Sequence, residues 1–414
     1  MKSSFRYCLL LAAWLLIIPA MQAQTIHPIG LEQVMSVADD DLTGTTRFIA
    51  LAGAMTAVGG DPSAVKHNPA GLGVYRHSQF SVSANGTFRR FVQPDSKADN
   101  PWYSRWHLSQ ASYVFALTHP ERLSGVVSNN IMISYARRAD ILRIATLNDQ
   151  RDRTNVAGDW IETQLDEYVQ RHDIDLHYAM NISNIVYWGL GFTFEWLQTR
   201  QTVKRFEYIA EDRRGQSVEY DLSTTANGKA AGAGFSAGLL VRPIQALRFG
   251  LSIETPIFGR MRETDYYTED YFYPRSSSDN SHYESPNDSY SWKMTTPLIA
   301  SAGLGLQWTT HGLLSLQYDL QYHKLSGIEH TARAGLEVAM TNHWMLDLGY
   351  AYSTLFSRHR AGLGFHYMGK WVRVGLAYSY SWSTAQVVDA IHHTSQGNYR
   401  AHENRIAFTF QWNS

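Results

Sequence analysis

From Phe80 to the C-terminus, apolar residues fall at every second position in segment after segment. The clearest run sets Val186, Trp188, Leu190, Phe192, Phe194 and Trp196 against Tyr187, Gly189, Gly191, Thr193 and Glu195. A chain with a two-residue repeat turns these sets to opposite faces, one apolar and one small or polar. The pattern returns in Leu247, Phe249, Leu251 and Ile253, in Leu314, Leu316, Tyr318, Leu320 and Tyr322, and in Trp344, Leu346, Leu348, Tyr350 and Tyr352. Val372, Val374, Leu376, Tyr378, Tyr380 and Trp382 follow, then Ile406, Phe408, Phe410 and Trp412. Aromatic residues gather at the ends of these runs, where a lipid–water interface favours them.

The connections sort by length. Ser183-Asn184, Arg242-Pro243 and residues 309–311, 341–343 and 368–370 read as tight turns. Residues 85–105, 145–173, 200–222, 259–289 and 384–401 read as long polar loops. Short and long connections in alternation give about fourteen antiparallel strands, with both chain ends on the short-turn side. A soluble sandwich has no reason to sort its connections in this way. The expected fold is therefore all-β, a transmembrane β-barrel over residues 79–414, closed because lipid offers no partner to a free strand edge.

Two segments depart from the alternation. In residues 159–170, Ile161, Leu165, Tyr168 and Val169 fall at i, i+4, i+7 and i+8, which reads as a helix on the outer rim. Trp160, Ile161, Leu165 and Tyr168 would then either pack on neighbouring loops or form an apolar lip that collects hydrophobic ligand. Residues 24–78 are rich in Gly and Ala, and residues 48–58 read as a short packed helix. Asp61 can cap a second helix that starts at Pro62, and Asn68-Pro69 ends it, because a residue before proline avoids helical geometry. A compact segment ahead of a barrel, on its periplasmic side, is expected to plug the lumen as a hatch.

Composition narrows the function classes. The chain is 44% hydrophobic, 13% aromatic and only 18% charged, with a formal net charge of −1. Mean hydropathy is −0.29, which excludes a bundle of membrane helices, and the absence of a basic excess excludes a nucleic-acid binder. Lys2 and Arg6, the apolar residues 9–18 and Ala20-Met21-Gln22-Ala23 make a secretory signal over residues 1–23. Cys8 is the only cysteine and lies inside it, so the processed chain has no disulfide, thiol nucleophile or zinc–thiolate site. Gly-x-Ser-x-Gly, P-loop and His-Glu-x-x-His motifs are absent, so no catalytic residue, metal or cofactor is expected. The seventeen histidines are scattered, His392-His393 included, and the acidic, Tyr-rich residues 263–290 lack calcium-ligand spacing. Arg89-Arg90 and Arg137-Arg138 read as solvated or lipopolysaccharide-facing pairs.

Gly53, Ala57, Asp61, Ser63, Ala64 and above all Asn68-Pro69-Ala70-Gly71-Leu72 resemble the hatch of the FadL/TodX-type outer-membrane transporters. The resemblance implies an Asn-Pro-Ala hatch core inside a fourteen-stranded barrel that carries long-chain fatty acids or aromatic hydrocarbons. It places Asp61, Asn68, Pro69, Ala70 and Gly71 in the hatch and its gating. It also implies a lateral gap beside a kinked third strand, here including residues 126–136, with Ser128, Asn129 and Asn130 as the kink. The implied partners are a fatty-acid-like hydrophobic ligand, outer-membrane lipid and lipopolysaccharide. Related hatch-bearing barrels serve as protein-secretion shuttles, so a surface-protein partner is an alternative cargo, and haem is another. Residues 24–43 are longer than the family pattern, and the chain ends Trp412-Asn413-Ser414 rather than on an aromatic residue. N-terminal sequencing of protein recovered from the outer membrane is expected to begin at Gln24; a start at Met1 would contradict the signal assignment.

Overall fold

A computed structural model describes residues 42–413, apart from 93–101, 119–124, 150–159, 210–216, 275–278, 287, 310–311, 324–326, 355–356 and 389–395. The signal, Cys8, residues 24–41 and His392-His393 lie outside the described residues.

The chain is a closed barrel of fourteen antiparallel strands. They are β1 (Gln79–Val92), β2 (Tyr103–Thr118), β3 (Val126–Asp149), β4 (Trp160–Ile182), β5 (Val186–Ile209) and β6 (Val218–Ile244). Two interrupted strands follow, β7 (Leu247–Glu254 and Phe258–Phe272) and β8 (Asp288–Thr295 and Leu298–Thr309). The rest are β9 (Gly312–His323), β10 (Gly327–Ala339), β11 (Trp344–Ser353), β12 (Arg358–Met368), β13 (Val372–Val388) and β14 (Gln396–Asn413). A short strand, Ser281–Glu284, adds to the outer end of β7. First and last strands pair from Gln79↔Asn413 to Val92↔Arg400, which closes the wall. Among the described residues no helix is long and apolar enough to cross a membrane; strands make the crossing.

The alternation sorts residues onto two faces. Phe192, Leu251, Leu316, Leu363, Leu376 and Phe408 are exposed on the outside, while Thr193, Ser315, Gln317, Ala377 and Thr409 are buried on the lumenal side. Val372 pairs with Trp412 and Trp382 with His402, so the apolar outer face runs over ten residues between them. At about 3.3 Å per residue and a tilt of about 40°, that run is about 25 Å tall, the height of the apolar band of outer-membrane barrels. Pro256 and Pro297 interrupt β7 and β8 side by side, since proline has no amide to give a ladder. Threonines patch the break: Phe235 N donates to Thr255 Oγ1 at 2.9 Å and Ile257 N to Thr296 Oγ1 at 2.8 Å.

Three sequence expectations are corrected. Residues 160–170 are strand, the start of β4, and not a rim helix. Ile161, Leu165 and Val169 are four apart, a spacing that fits a period of two as well as 3.6, and pairing with β3 and β5 on both sides decides for strand. Three of the expected long loops, 145–173, 200–222 and 259–289, are largely strand: β3 to β8 rise well past the membrane, where both faces are wet and apolar alternation vanishes. The turn placed at Arg242-Pro243 lies at Gln245-Ala246. Ser183 and Asn184, with φ of 54° and 57°, do form a tight hairpin turn.

Leu376→Arg, in the middle of the outer belt, is expected to destabilise the barrel by about 2–4 kcal/mol in vesicle-based urea unfolding. A loss below about 0.5 kcal/mol would show that this face does not meet lipid.

Candidate functional site: the plugged lumen

Residues 42–75 lie within the barrel, nearly all of them buried. Helix α1 (Thr46–Ala50) is followed by tight turns through Ala52 and Gly53, both at positive φ, so the helix is shorter than residues 48–58. Helix α2 (Pro62–His67) starts on Asp61, whose carboxylate accepts from Ser63 N at 2.9 Å and Ala64 N at 3.3 Å. Thr45 Oγ1 donates to the same carboxylate at 2.7 Å. Burial pushes the Asp61 carboxyl above its ordinary value, while the Arg47 charge and the hydrogen bonds from Thr45, Ala64 and Ser63 pull it back. A 3₁₀ turn (Pro69–Val74) completes the hatch.

Asn68 joins the pieces. Its Nδ2 donates to Thr56 O at 2.6 Å and its Oδ1 accepts from Ala70 N at 3.1 Å, so one side chain ties the α1 turns to the 3₁₀ turn. Gly238 on β6 faces it: a Cβ there would stand 1.9 Å from Asn68 Oδ1. A Cβ at Gly189 on β5 would stand 2.5 Å from the Pro69 carbonyl carbon. The wall can approach the Asn-Pro-Ala core only because these two positions lack a side chain. Ala70 packs with Tyr187 and Leu240, and Gly71 O accepts from Gly60 N at 3.1 Å.

Polar side chains of the wall hold the hatch. Gln317 Oε1 accepts from Met55 N at 2.8 Å and Thr56 N at 2.9 Å, and an Arg333 guanidinium nitrogen donates to Ala52 O at 2.9 Å. Arg47 pairs with Glu337 at 2.6 Å and His67 lies 3.0 Å from Glu254. Lys66 pairs with Asp173, which also accepts from Arg138 at 3.0 Å; Arg171 and Glu195 pair at 2.6 Å beside them. Of the expected kink residues, Ser128 and Asn130 face inward and grip the hatch instead. Asn130 Nδ2 donates to Leu72 O at 2.8 Å and Tyr75 O at 3.0 Å, and Ser128 Oγ donates to Gly73 O at 3.4 Å. Asn129 faces out and accepts from Tyr178 OH at 2.9 Å. All three sit in continuous register with β2, and the register shifts of β3 fall on either side of them, at Val127 and Arg138.

The wall divides at the second of those shifts. From Thr118↔Ser128 to Gln110↔Ala136, β2 and β3 form a ladder, and beyond it, among the described residues, they share none. There β2 pairs only with β1, and β3 only with β4. The hatch reaches the base of this split: Thr43 Oγ1 donates to Arg137 O at 2.8 Å and Ser109 Oγ to Gly44 O at 3.3 Å. Next to it, Ala139, Val169, Leu197, Ala230, Met261 and Met294 form a buried apolar cluster on the lumenal face, with Trp292 against it. Sequence reasoning missed the cluster because its members come from six strands and sit on the polar phase of each.

Of the expected rim residues, Trp160, Ile161 and Leu165 are backbone partners of Tyr208, Glu207 and Val203 on β5. The Tyr168 ring lies 4.7 Å from the Arg105 guanidinium of β2, a contact that spans the split.

Among the described residues the barrel is closed, its bore holds the 42–75 segment and its wall divides along one seam. No protein-family model matches the sequence, and a search of the curated proteins returns no match. Solved structures do match. A FadL homologue from Pseudomonas aeruginosa superposes with a TM-score of 0.62 at 12% identity, covering 90% of this chain and 98% of that one. The toluene transporter TodX of Pseudomonas putida gives 0.56 at 14% identity over 91% and 99% of the two chains. The toluene transporter TbuX of Ralstonia pickettii gives 0.56 at 12% over 90% and 98%. The chain therefore has the fold of the FadL/TodX-type channels.

Asn68→Ala leaves the Thr56 carbonyl and the Ala70 amide without this partner, and is expected to weaken the hatch by about 1–3 kcal/mol. Uptake of a large hydrophilic antibiotic should rise while barrel assembly stays normal; unchanged permeability would remove Asn68 from the hatch lock.

Proposed function

We propose that the protein is a passive outer-membrane channel for hydrophobic small molecules, with long-chain fatty acids as the first ligands to test. The observation that carries this reading is the buried Ala139–Met294 cluster standing beside the β2–β3 split, above an intact hatch. An apolar solute gains little from a water-filled pore, and the lipopolysaccharide layer obstructs its direct entry to the bilayer. A seam that opens sideways next to an apolar patch offers it a path that stays out of water.

In this reading the tyrosines on the lumenal side of β6 and β7 (Tyr220, Tyr267 and Tyr271), together with Trp292, receive ligand at the outer end. Met261 and Met294, flexible and polarisable, hold it against the cluster. Tyr168, and the Trp160–Leu165 stretch beside it, flank the seam rather than forming a helical lip. The split between β2 and β3 releases ligand, with Asp61, Asn68, Pro69, Ala70 and Gly71 keeping the hatch shut below. Successive weak contacts suit this task better than one tight site, because ligand must leave as well as arrive. No residue is assigned a catalytic role. The similar structures are described as hydrocarbon and toluene channels and a FadL homologue, which supports hydrophobic cargo in general.

Purified protein is expected to bind labelled oleate or a monoaromatic hydrocarbon, and Met261→Asp with Met294→Asp should weaken binding at least about tenfold by putting charge into the cluster. Failure of every fatty acid and hydrocarbon in a chain-length series to bind would overturn the reading.

A further inference from the structure

The outer surface carries a feature that solute transport does not use. Four times, a tyrosine hydroxyl meets Nδ1 of a histidine on the neighbouring strand. The pairs are Tyr135 with His172 at 2.8 Å, Tyr318 with His330 at 2.5 Å, Tyr350 with His359 at 2.7 Å and Tyr380 with His402 at 2.8 Å. All lie on the lipid-facing phase of their strands, in step with Ile133, Leu316, Leu348 and Phe408.

They also share a height. His359, Trp382 and His402 are register partners across β12, β13 and β14, and Arg90 of β1 continues the row. That row stands ten residues above Val372–Trp412, and His172–Trp196 stands ten residues above Ile182–Val186. Both distances reach the top of the apolar band on the side of the long hairpins, the level of the outer-leaflet headgroups. Tyrosine and tryptophan are ordinary at such a boundary; histidines with one ring nitrogen held by a tyrosine are not explained by an aromatic girdle alone.

The chemistry follows from the pairing. A phenol is a better donor than a neutral imidazole N–H, so Nδ1 accepts and the ring proton sits on Nε2. At His330, His359 and His402, Nε2 has no hydrogen bond among the described residues. Stacking of His359 on Trp382, 4.9 Å apart at 6°, keeps that ring rigid. The result is a row of fixed N–H donors beside Arg90 and the exposed Arg400, a set that suits phosphate oxygens.

We propose that this Tyr–His collar binds the phosphate groups of lipid A in the outer leaflet. The proposal rests on the membrane placement and not on the identity of the transported solute. The test embeds the protein in phosphatidylcholine nanodiscs carrying either bisphosphorylated or dephosphorylated lipid A and reads retained lipid by native mass spectrometry. The wild-type protein should retain the phosphorylated form at least about fivefold better. His359→Phe with His402→Phe, which keeps a ring against Trp382, should bring the ratio near parity. Tyr350→Phe with Tyr380→Phe should give an intermediate ratio, and inorganic phosphate should not compete. Equal retention of both lipids by the wild type, an undiminished preference in the double-histidine variant, or displacement by inorganic phosphate would overturn the proposal. Failure to enter any disc would contradict the membrane placement itself and the proposal with it.

Discussion

Hydrocarbon offers a peptide group nothing to bond to, and the architecture answers to that one fact. The first strand must meet the last, and it does so over the whole length of β1. Where Pro256 and Pro297 interrupt the ladder, threonine hydroxyls accept from the amides of Phe235 and Ile257. Where β2 and β3 part, Thr43 of the hatch donates to the Arg137 carbonyl. Each breach has a local repair, and the largest breach is the one the hatch attends to.

The lumen shows the complementary logic. The lumenal segment is held by hydrogen bonds and ion pairs on several sides, from Gln317, Arg333, Asn130 and Asp173 among others. Buried pairs of this kind add little net stability compared with apolar packing, but they fix one orientation and are costly to leave half-broken. Glycine at positions 189 and 238 lets the wall close on the Asn-Pro-Ala core. Apolar packing within the hatch, through Phe48, Leu51, Met55 and Val58, supplies its cohesion. Orientation and cohesion thus come from different residues.

Much of this was legible in the sequence wherever one face of a strand is greasy and the other is not. The 186–196 run, the turn at Ser183-Asn184, the Asp61 cap and the break at Asn68-Pro69 all follow from local rules, and the structure has them. Legibility failed above the membrane, where water wets both faces: residues 160–170 look helical because a spacing of four satisfies two periods. It failed in the lumen for a different reason. Ser128 and Asn130 do interrupt the apolar pattern, but as inward-facing hatch anchors in continuous register with β2; of the two shifts against β4, the one at Val127 adjoins them and the one at Arg138 has no residue signature. The apolar cluster at Met261 and Met294 depends on which six strands meet, which only closure of the barrel decides.

The proposed function has solute leaving through the wall while the hatch stays shut. Thr46 Cβ lies 3.1 Å from the position a Cβ would take at Gly375, so a shift of a few tenths of an ångström lets Thr46→Cys with Gly375→Cys lock α1 to β13 by a disulfide. Cys8 is the only native cysteine, and Cys8→Ser in the same background keeps it out of the pairing. Uptake of a fluorescent fatty acid into proteoliposomes, measured with the disulfide formed and then reduced, tests the claim most directly. The account expects equal uptake in both states and no steady ion conductance in either; uptake that is lost on locking and restored on reduction would contradict it.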